Sequence, residues 1–283
     1  MRPTQWPKNL FVLAPLVFGR LLGDRQAILR ALLALVAFCL ASSAVYLIND
    51  IKDREEDRNH PLKRHRPLAA GTLGVPAAMA ALLVLAGAAI ALALSLGTGF
   101  ALILVVYLLI NLLYTNGLKH VVILDVMSIS AGFVLRVLAG AAATAVQVSS
   151  WLLLCTIFLS LFLAFSKRRH EITLLAEGAT SQRRVLHHYS AAFLDQMINV
   201  VTASSVVSYA LYAVAPETVE KYHTQHLIYT LPMVLFGIFR YLYLMYQEPG
   251  ERNPTEAILG DPPFLINMVL WGLAVVAIVY WRA

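Results

Sequence analysis

Three stretches of this chain, residues 81–96, 100–110 and 151–165, contain no charged residue, and they sit among further apolar runs almost as long. Water does not tolerate so many uninterrupted apolar surfaces, whereas the hydrocarbon core of a bilayer requires them. Composition agrees. Of 283 residues, 59% are hydrophobic and 13% are charged, against about 25% charged in an ordinary soluble domain. The runs are continuous rather than alternating, so the expected fold is all-α and integral to the membrane, each helix satisfying its own backbone.

Apolar runs between polar breaks predict about nine spans, at residues 9–23, 27–49, 75–96, 100–116, 121–146, 149–166, 189–214, 227–246 and 263–280. Gly97-Thr98-Gly99 and Asn116-Gly117 supply turn chemistry between neighbouring spans. The first run is short, contains Pro15 and follows Arg2 and Lys8, as the apolar core of a signal peptide would. It lacks a small-residue cleavage site and is read as a span. Residues 1–283 show no internal repeat or long linker, which implies a single transmembrane domain. Cys39 and Cys155 lie within apolar runs and read as small hydrophobes.

Lysine and arginine set the orientation. With the N-terminus cytoplasmic, 15 of the 22 fall on the cytoplasmic side and 5 on the other, while Arg136 and Arg240 lie within spans. The chain is therefore expected to be a multi-pass protein of the cell inner membrane, its N-terminus inside and its C-terminus outside. The net charge of +6 reflects this topology and calls for no nucleic-acid partner.

The segment 49–71, NDIKDREEDRNHPLKRHRPLAAG, carries the chemistry. On a continuing helix, Asn49, Asp50, Asp53 and Asp57 fall at spacings of three and four that bring them to one face. Carboxylates converging at a membrane boundary repel one another unless a cation sits between them. Mg²⁺ suits that position, because it takes oxygen ligands and bridges carboxylates to substrate phosphates. Lys63, Arg64 and Arg66 follow as donors to phosphate oxygens. Glu220, His223 and His226 have spacing compatible with zinc but lie opposite the acidic segment and read as a solvated loop. Asp125 is near enough to Lys119 to edge the site, while Arg136 and Arg240 are open to structural or substrate roles.

Asn49-Asp50-x-x-Asp53-x-x-x-Asp57 resembles the first aspartate motif of the UbiA superfamily of intramembrane prenyltransferases, whose catalytic loops follow the second and sixth spans. Four stretches resemble, more particularly, its decaprenyl-phosphate phosphoribosyltransferase branch. They are Arg2-Pro3-x-Gln5-Trp6-x-Lys8-Asn9, His60-Pro61-x-Lys63-Arg64-x-Arg66-Pro67, Tyr114-x-x-x-Leu118-Lys119 and Lys167-Arg168-x-x-Glu171. The likeness runs from Arg2 to about Tyr189. One departure stands out. Where most members carry a second aspartate-rich motif, this chain reads Ser166-Lys167-Arg168-Arg169-His170-Glu171, with one acid among four cationic or titratable residues.

The resemblance implies transfer of 5-phosphoribosyl from phosphoribosyl pyrophosphate to a polyprenyl phosphate, with release of pyrophosphate. It assigns Asp50, Asp53 and Asp57 to Mg²⁺. Lys119, Lys167 and Arg168 would hold phosphate oxygens, with Lys8, Lys63 and Arg66 adding donors. Asn49 would orient a carboxylate or bind a ribose hydroxyl, Tyr114 would wall the lipid groove with Tyr46, and Glu171 would bind metal or ribose. The alternative within the family is transfer of a polyprenyl group from its diphosphate to an aromatic acceptor, which the missing second aspartate motif disfavours. An anion transporter is the reading from another class, and it lacks a matched pair of interrupted helices. Isoprenoid length and homo-oligomer formation stay open.

Overall fold

The computed structural model describes residues 3–59, 63–176, 184–247 and 260–280. Arg2, His60, Pro61 and Arg252, which figure in the motifs and the charge count, lie outside them, as do residues 177–183. The described residues are helical with no strand, and eight helices are long and apolar enough to cross a membrane. Their labels run in chain order: α1 Arg25–Lys52, α2 Val75–Leu96, α3 Thr98–Asn116, α4 Leu124–Thr144, α5 Ser150–Ala176, α6 Ala191–Val214, α7 Leu231–Gln247 and α8 Pro262–Tyr280. The chain forms two compact units, Met1–Val148 and Ser149–Ala283.

In the first unit α1 is central. Ala27, Ala31, Ala34, Ala37, Ala41 and Ala44 are buried along it, and small residues at helical spacing let neighbouring backbones approach closely. Phe38 packs edge-on against Phe100 and tilted against Tyr107, with ring centroids 5.9 and 5.1 Å apart. Asp24 caps the start of α1 by accepting from the Gln26 and Ala27 amides. Arg30 then reaches across the bundle, donating to the Leu96 carbonyl (2.7 Å) at the end of α2 and the Ala143 carbonyl (2.5 Å) near the end of α4. A guanidinium on these last-turn carbonyls satisfies groups that no intrahelical partner can reach. Leu83 and Val84 of α2 are strongly exposed, as a lipid-facing surface demands.

The segment expected as the first span, 9–23, takes a different form. It is a 3₁₀ helix, Pro3–Leu13, followed by one short α-turn, Ala14–Phe18. Pro7 and Pro15 lack the amide protons a regular helix would use. A 3₁₀ helix rises about 2.0 Å per residue, so these sixteen residues reach roughly 30 Å, about the thickness of the hydrocarbon core. The segment runs antiparallel to α1: Trp6 Nε1 donates to Ser43 Oγ, Asn9 Nδ2 to Ser42 Oγ, and Leu16 packs on Ala27 and Ala31. A Cβ at Gly140 would collide with the Val12 carbonyl, so that glycine permits the close approach to α4. Nine apolar runs thus become eight long helices and one compact strap.

In the second unit, Phe162 of α5 lies against Tyr241 of α7 (4.9 Å) and Trp271 of α8 donates to Tyr209 of α6. Arg240 of α7 donates twice to Asp261, at 2.7 and 3.0 Å, and Asp261 also accepts from the Phe264 amide to cap α8. The Arg240 hydrogen bonds hold the Asp261 carboxyl below its ordinary value. Arg240 is therefore a tie between α7 and the start of α8.

Candidate active site

Asp50 lies in the last turn of α1, which ends at Lys52; Asp53 has non-helical backbone angles, and a new short helix, Arg54–Arg58, begins at the next residue. The break places Asp57, only 2% exposed, back toward the end of α1. Arg66 comes in from beyond the 3₁₀ turn Lys63–His65 and bridges the two. Its Nη1 lies 2.5 Å from Asp57 Oδ2 and 3.4 Å from Asp50 Oδ1. Lys119, in the short turn after α3, points Nζ at Asp53 Oδ1 at 3.3 Å. Thr115 of α3 meets Asn49 at 2.6 Å, and Lys52 Nζ donates to the Thr115 carbonyl and to Asn116 Oδ1. Asn49, Asp50, Asp53, Asp57, Arg66 and Lys119 thus form one corner, built from the ends of α1 and α3 and the segment between α1 and α2.

Each carboxylate there has a cationic neighbour, and among the described residues no three acidic, histidine or cysteine side chains converge as a ready-made metal cage. The donor set still fits Mg²⁺. It is all oxygen, and this ion is commonly held by one or two carboxylates plus substrate phosphates rather than by a complete protein shell. Arg66 draws Asp50 and Asp57 together. Lys63 is half-buried at the start of its 3₁₀ turn, Tyr114 half-buried in the last turn of α3, and Lys8 half-buried in the N-terminal strap. Asp125 is fully buried in the first turn of α4.

Arg136 resolves to a structural role. At 7% exposure it donates to Asn9 Oδ1 (2.8 Å), the Gly132 carbonyl (2.7 Å) and Tyr107 Oη (3.0 Å), and the Tyr107 and Phe133 rings lie 4.9 and 5.3 Å from its guanidinium. It fastens the N-terminal strap to α3 and α4.

In the second unit, the segment read as a loop after residue 166 is helical, because α5 continues to Ala176. Lys167 is half-buried on it. Arg168, 1% exposed, donates to Glu171 Oε2 at 2.7 Å one turn on. Arg169 pairs with Asp195 of α6 at 2.8 Å, and Tyr246 of α7 donates to the same carboxylate oxygen at 2.6 Å. The sequence count of one acid here missed Asp195, which lies 26 positions from Arg169 and is brought in only by the packing of α6. The field of this helix end is therefore less positive than its own residues suggest. The Glu220, His223 and His226 set gathers no metal group.

Residues 12–257 match the UbiA prenyltransferase family. The chain belongs to that family. Two relatives that match 99% of this chain are the decaprenyl-phosphate phosphoribosyltransferases of Corynebacterium glutamicum, 35% identical and covered over 85% of its length, and of Mycolicibacterium smegmatis, 35% identical and covered over 91%. A third, from Mycobacterium tuberculosis, is 38% identical over 75% of this chain and 72% of its own length. Among solved structures, a UbiA homologue from Archaeoglobus fulgidus bound to GPP and Mg²⁺ superposes with a TM-score of 0.72 at 17% identity, covering 99% of this chain and 96% of that one. At that identity the likeness shows the UbiA fold.

Proposed function

We propose that this UbiA-family protein transfers the 5-phosphoribosyl group of phosphoribosyl pyrophosphate to a polyprenyl phosphate of the decaprenyl type. The observation that carries this reading is the likeness to decaprenyl-phosphate phosphoribosyltransferases across 99% of the chain. In the reaction the bond between ribose C1 and the diphosphate oxygen breaks and a bond from C1 to a lipid phosphate oxygen forms. The acceptor is already an anion, so no general base is required. When Mg²⁺ is bound, it neutralises charge on the departing diphosphate.

The chain's own residues take the remaining tasks. Asp50, Asp53 and Asp57 would hold the metal-bearing end of the donor. Arg66 and Lys119, now on those carboxylates, would turn to phosphate oxygens as the donor enters, joined by Lys63 and Lys8. Lys167 and Arg168 are assigned to donor phosphates, Glu171 to holding Arg168, and Tyr114 to the lipid groove. The 15-to-5 excess of Lys and Arg supports a cytoplasmic aspartate segment and N-terminus, where a soluble sugar donor is available.

The test is purified protein in lipid nanodiscs with labelled phosphoribosyl pyrophosphate and decaprenyl phosphate. Label moving into the organic phase, with pyrophosphate released, is the expected result. Product formed only from a polyprenyl diphosphate and an aromatic acid would overturn the reading in favour of prenyl transfer.

A further inference from the structure

Thr115 closes the last turn of α3 with its side chain 2% exposed. Its Oγ1 lies 2.8 Å from the Asn111 carbonyl oxygen and 2.6 Å from the atom of Asn49 placed as Oδ1. A hydroxyl has one proton. It can donate to one of these oxygens, and the other would then face it at hydrogen-bonding distance with no hydrogen between them. The nitrogen and oxygen of an asparagine amide are nearly the same size and exchange by half a turn. With Nδ2 against Thr115, each of the two contacts holds a hydrogen: Asn49 donates to the hydroxyl, and the hydroxyl donates to the Asn111 carbonyl, the usual back-bond of a helical threonine.

The exchange turns Asn49 Oδ1 away from Thr115. Asp53 caps α1 one turn beyond Asn49, its amide on the Asn49 carbonyl at 2.8 Å, and it accepts from Lys119 there. The register is fixed independently, because Lys52 Nζ holds the Thr115 carbonyl at 3.0 Å and Asn116 Oδ1 at 2.9 Å. We infer that Thr115 is a positioning residue, whose hydroxyl sets the Asn49 amide with its oxygen, not its NH₂, toward the aspartates. Asn49 then adds an oxygen to the acidic edge and faces cations or the hydroxyl protons of a sugar. A donor phosphate, itself an acceptor, gains nothing from it. This rests on the reading of Asn49 as part of the donor site.

The experiment uses full-length protein in nanodiscs and measures binding of Mn²⁺ with labelled pyrophosphate, read as the label and metal retained with the nanodiscs above that held by empty nanodiscs. Thr115→Val removes the hydroxyl and frees the amide to rotate, and binding should weaken about tenfold, the scale of one hydrogen bond. Thr115→Ser keeps the hydroxyl and should restore most of it. The deciding arm is the Asn49→Asp background, where either rotation presents an oxygen and Thr115→Val should cost less than about twofold, since the hydrogen bond that matters is gone. Equal losses in both backgrounds, or no loss in a Thr115→Val protein of normal melting temperature, would overturn the inference alone. Wild-type protein that binds no Mn²⁺–pyrophosphate would overturn the site reading together with it.

Discussion

Arg66 Nη1 lies 2.5 Å from Asp57 Oδ2, and Asp57 is 2% exposed while the Arg66 side chain is 27% exposed. A guanidinium at the water's edge thus compensates a carboxylate that water does not reach. Arg66→Ala should destabilise the first unit by about 1.5–3 kcal/mol, the scale of a charged hydrogen bond to a buried partner. A divalent cation can take the vacated place between Asp50 and Asp57. Millimolar Mg²⁺ should therefore raise the melting temperature of Arg66→Ala more than that of wild type, through preferential binding to the folded state. Equal Mg²⁺ shifts in the two proteins would show that these carboxylates do not share a metal.

Arg136 leads to a different expectation, because its donors go to Asn9, Gly132 and Tyr107 rather than to the aspartate corner. Arg136→Met keeps much of the volume but leaves the buried Asn9 carbonyl and Tyr107 hydroxyl without this donor. The cost should be about 2–6 kcal/mol, from two buried groups at about 1–3 kcal/mol each. The folded fraction should retain kcat/KM within about twofold. A large fall in kcat/KM at unchanged melting temperature would assign Arg136 to substrate instead.

What the sequence disclosed, and what it withheld, follows from the range of each interaction. Uncharged runs are local, so the eight long helices could be read directly. The spacing of the aspartates at 50, 53 and 57 is also local, and so is the run Lys167–Glu171, whereas Lys119 meets Asp53 from 66 positions away. The strap was harder: the apolar run 9–23 reads as an ordinary span, but the chain from Pro3 to Phe18 reaches a similar length with fewer residues because most of it is 3₁₀ helix. Its length is sustained by Trp6 to Ser43 and Arg136 to Asn9, contacts between residues 37 and 127 positions apart. The same holds for Asp195 on Arg169 and for Asp261 on Arg240. A charge in the sequence tells that a partner is needed, but only packing decides which one.

Orientation is open to direct measurement. Asn59 and Gln225 are both exposed, so single cysteines there should be modified without disturbing the fold. Asn59→Cys should react with membrane-impermeant maleimide only from the cytoplasmic side, and Gln225→Cys only from the opposite side. Reversed labelling would put the aspartate segment on the wrong side for a cytoplasmic sugar donor.

Metal dependence should be absolute. EDTA is expected to abolish turnover and Mg²⁺ to restore it. Asp53→Ala removes a candidate ligand and also releases Lys119, which now lies 3.3 Å away. The rate should fall at least ~100-fold, which at about 1.4 kcal/mol per factor of ten is close to 3 kcal/mol of transition-state stabilisation. Full activity in EDTA would remove the metal from the proposal.

The second unit supplies the sharpest test of which substrate the protein grips, because Lys167 and Arg168 differ in how they are held. Lys167 is half-buried, so the telling readout for Lys167→Ala is kinetic, taken on the folded fraction. If its ammonium holds a donor phosphate, KM for phosphoribosyl pyrophosphate should rise, or kcat/KM fall, about ten- to hundredfold, the equivalent of about 1.5–3 kcal/mol for a charge-assisted hydrogen bond. KM for the lipid phosphate and the Mg²⁺ requirement should barely move. Arg168 is 1% exposed and paired with Glu171 at 2.7 Å, so Arg168→Ala removes a buried cation and this ion pair. It should lower the melting temperature as well as donor affinity. Glu171→Gln keeps an oxygen acceptor for Arg168 but removes the charge, and should cost less stability than Arg168→Ala. Equal, wild-type kinetics in Lys167→Ala and Glu171→Gln would reduce this helix end to an orientation signal, leaving the aspartate corner as the donor's whole anchor.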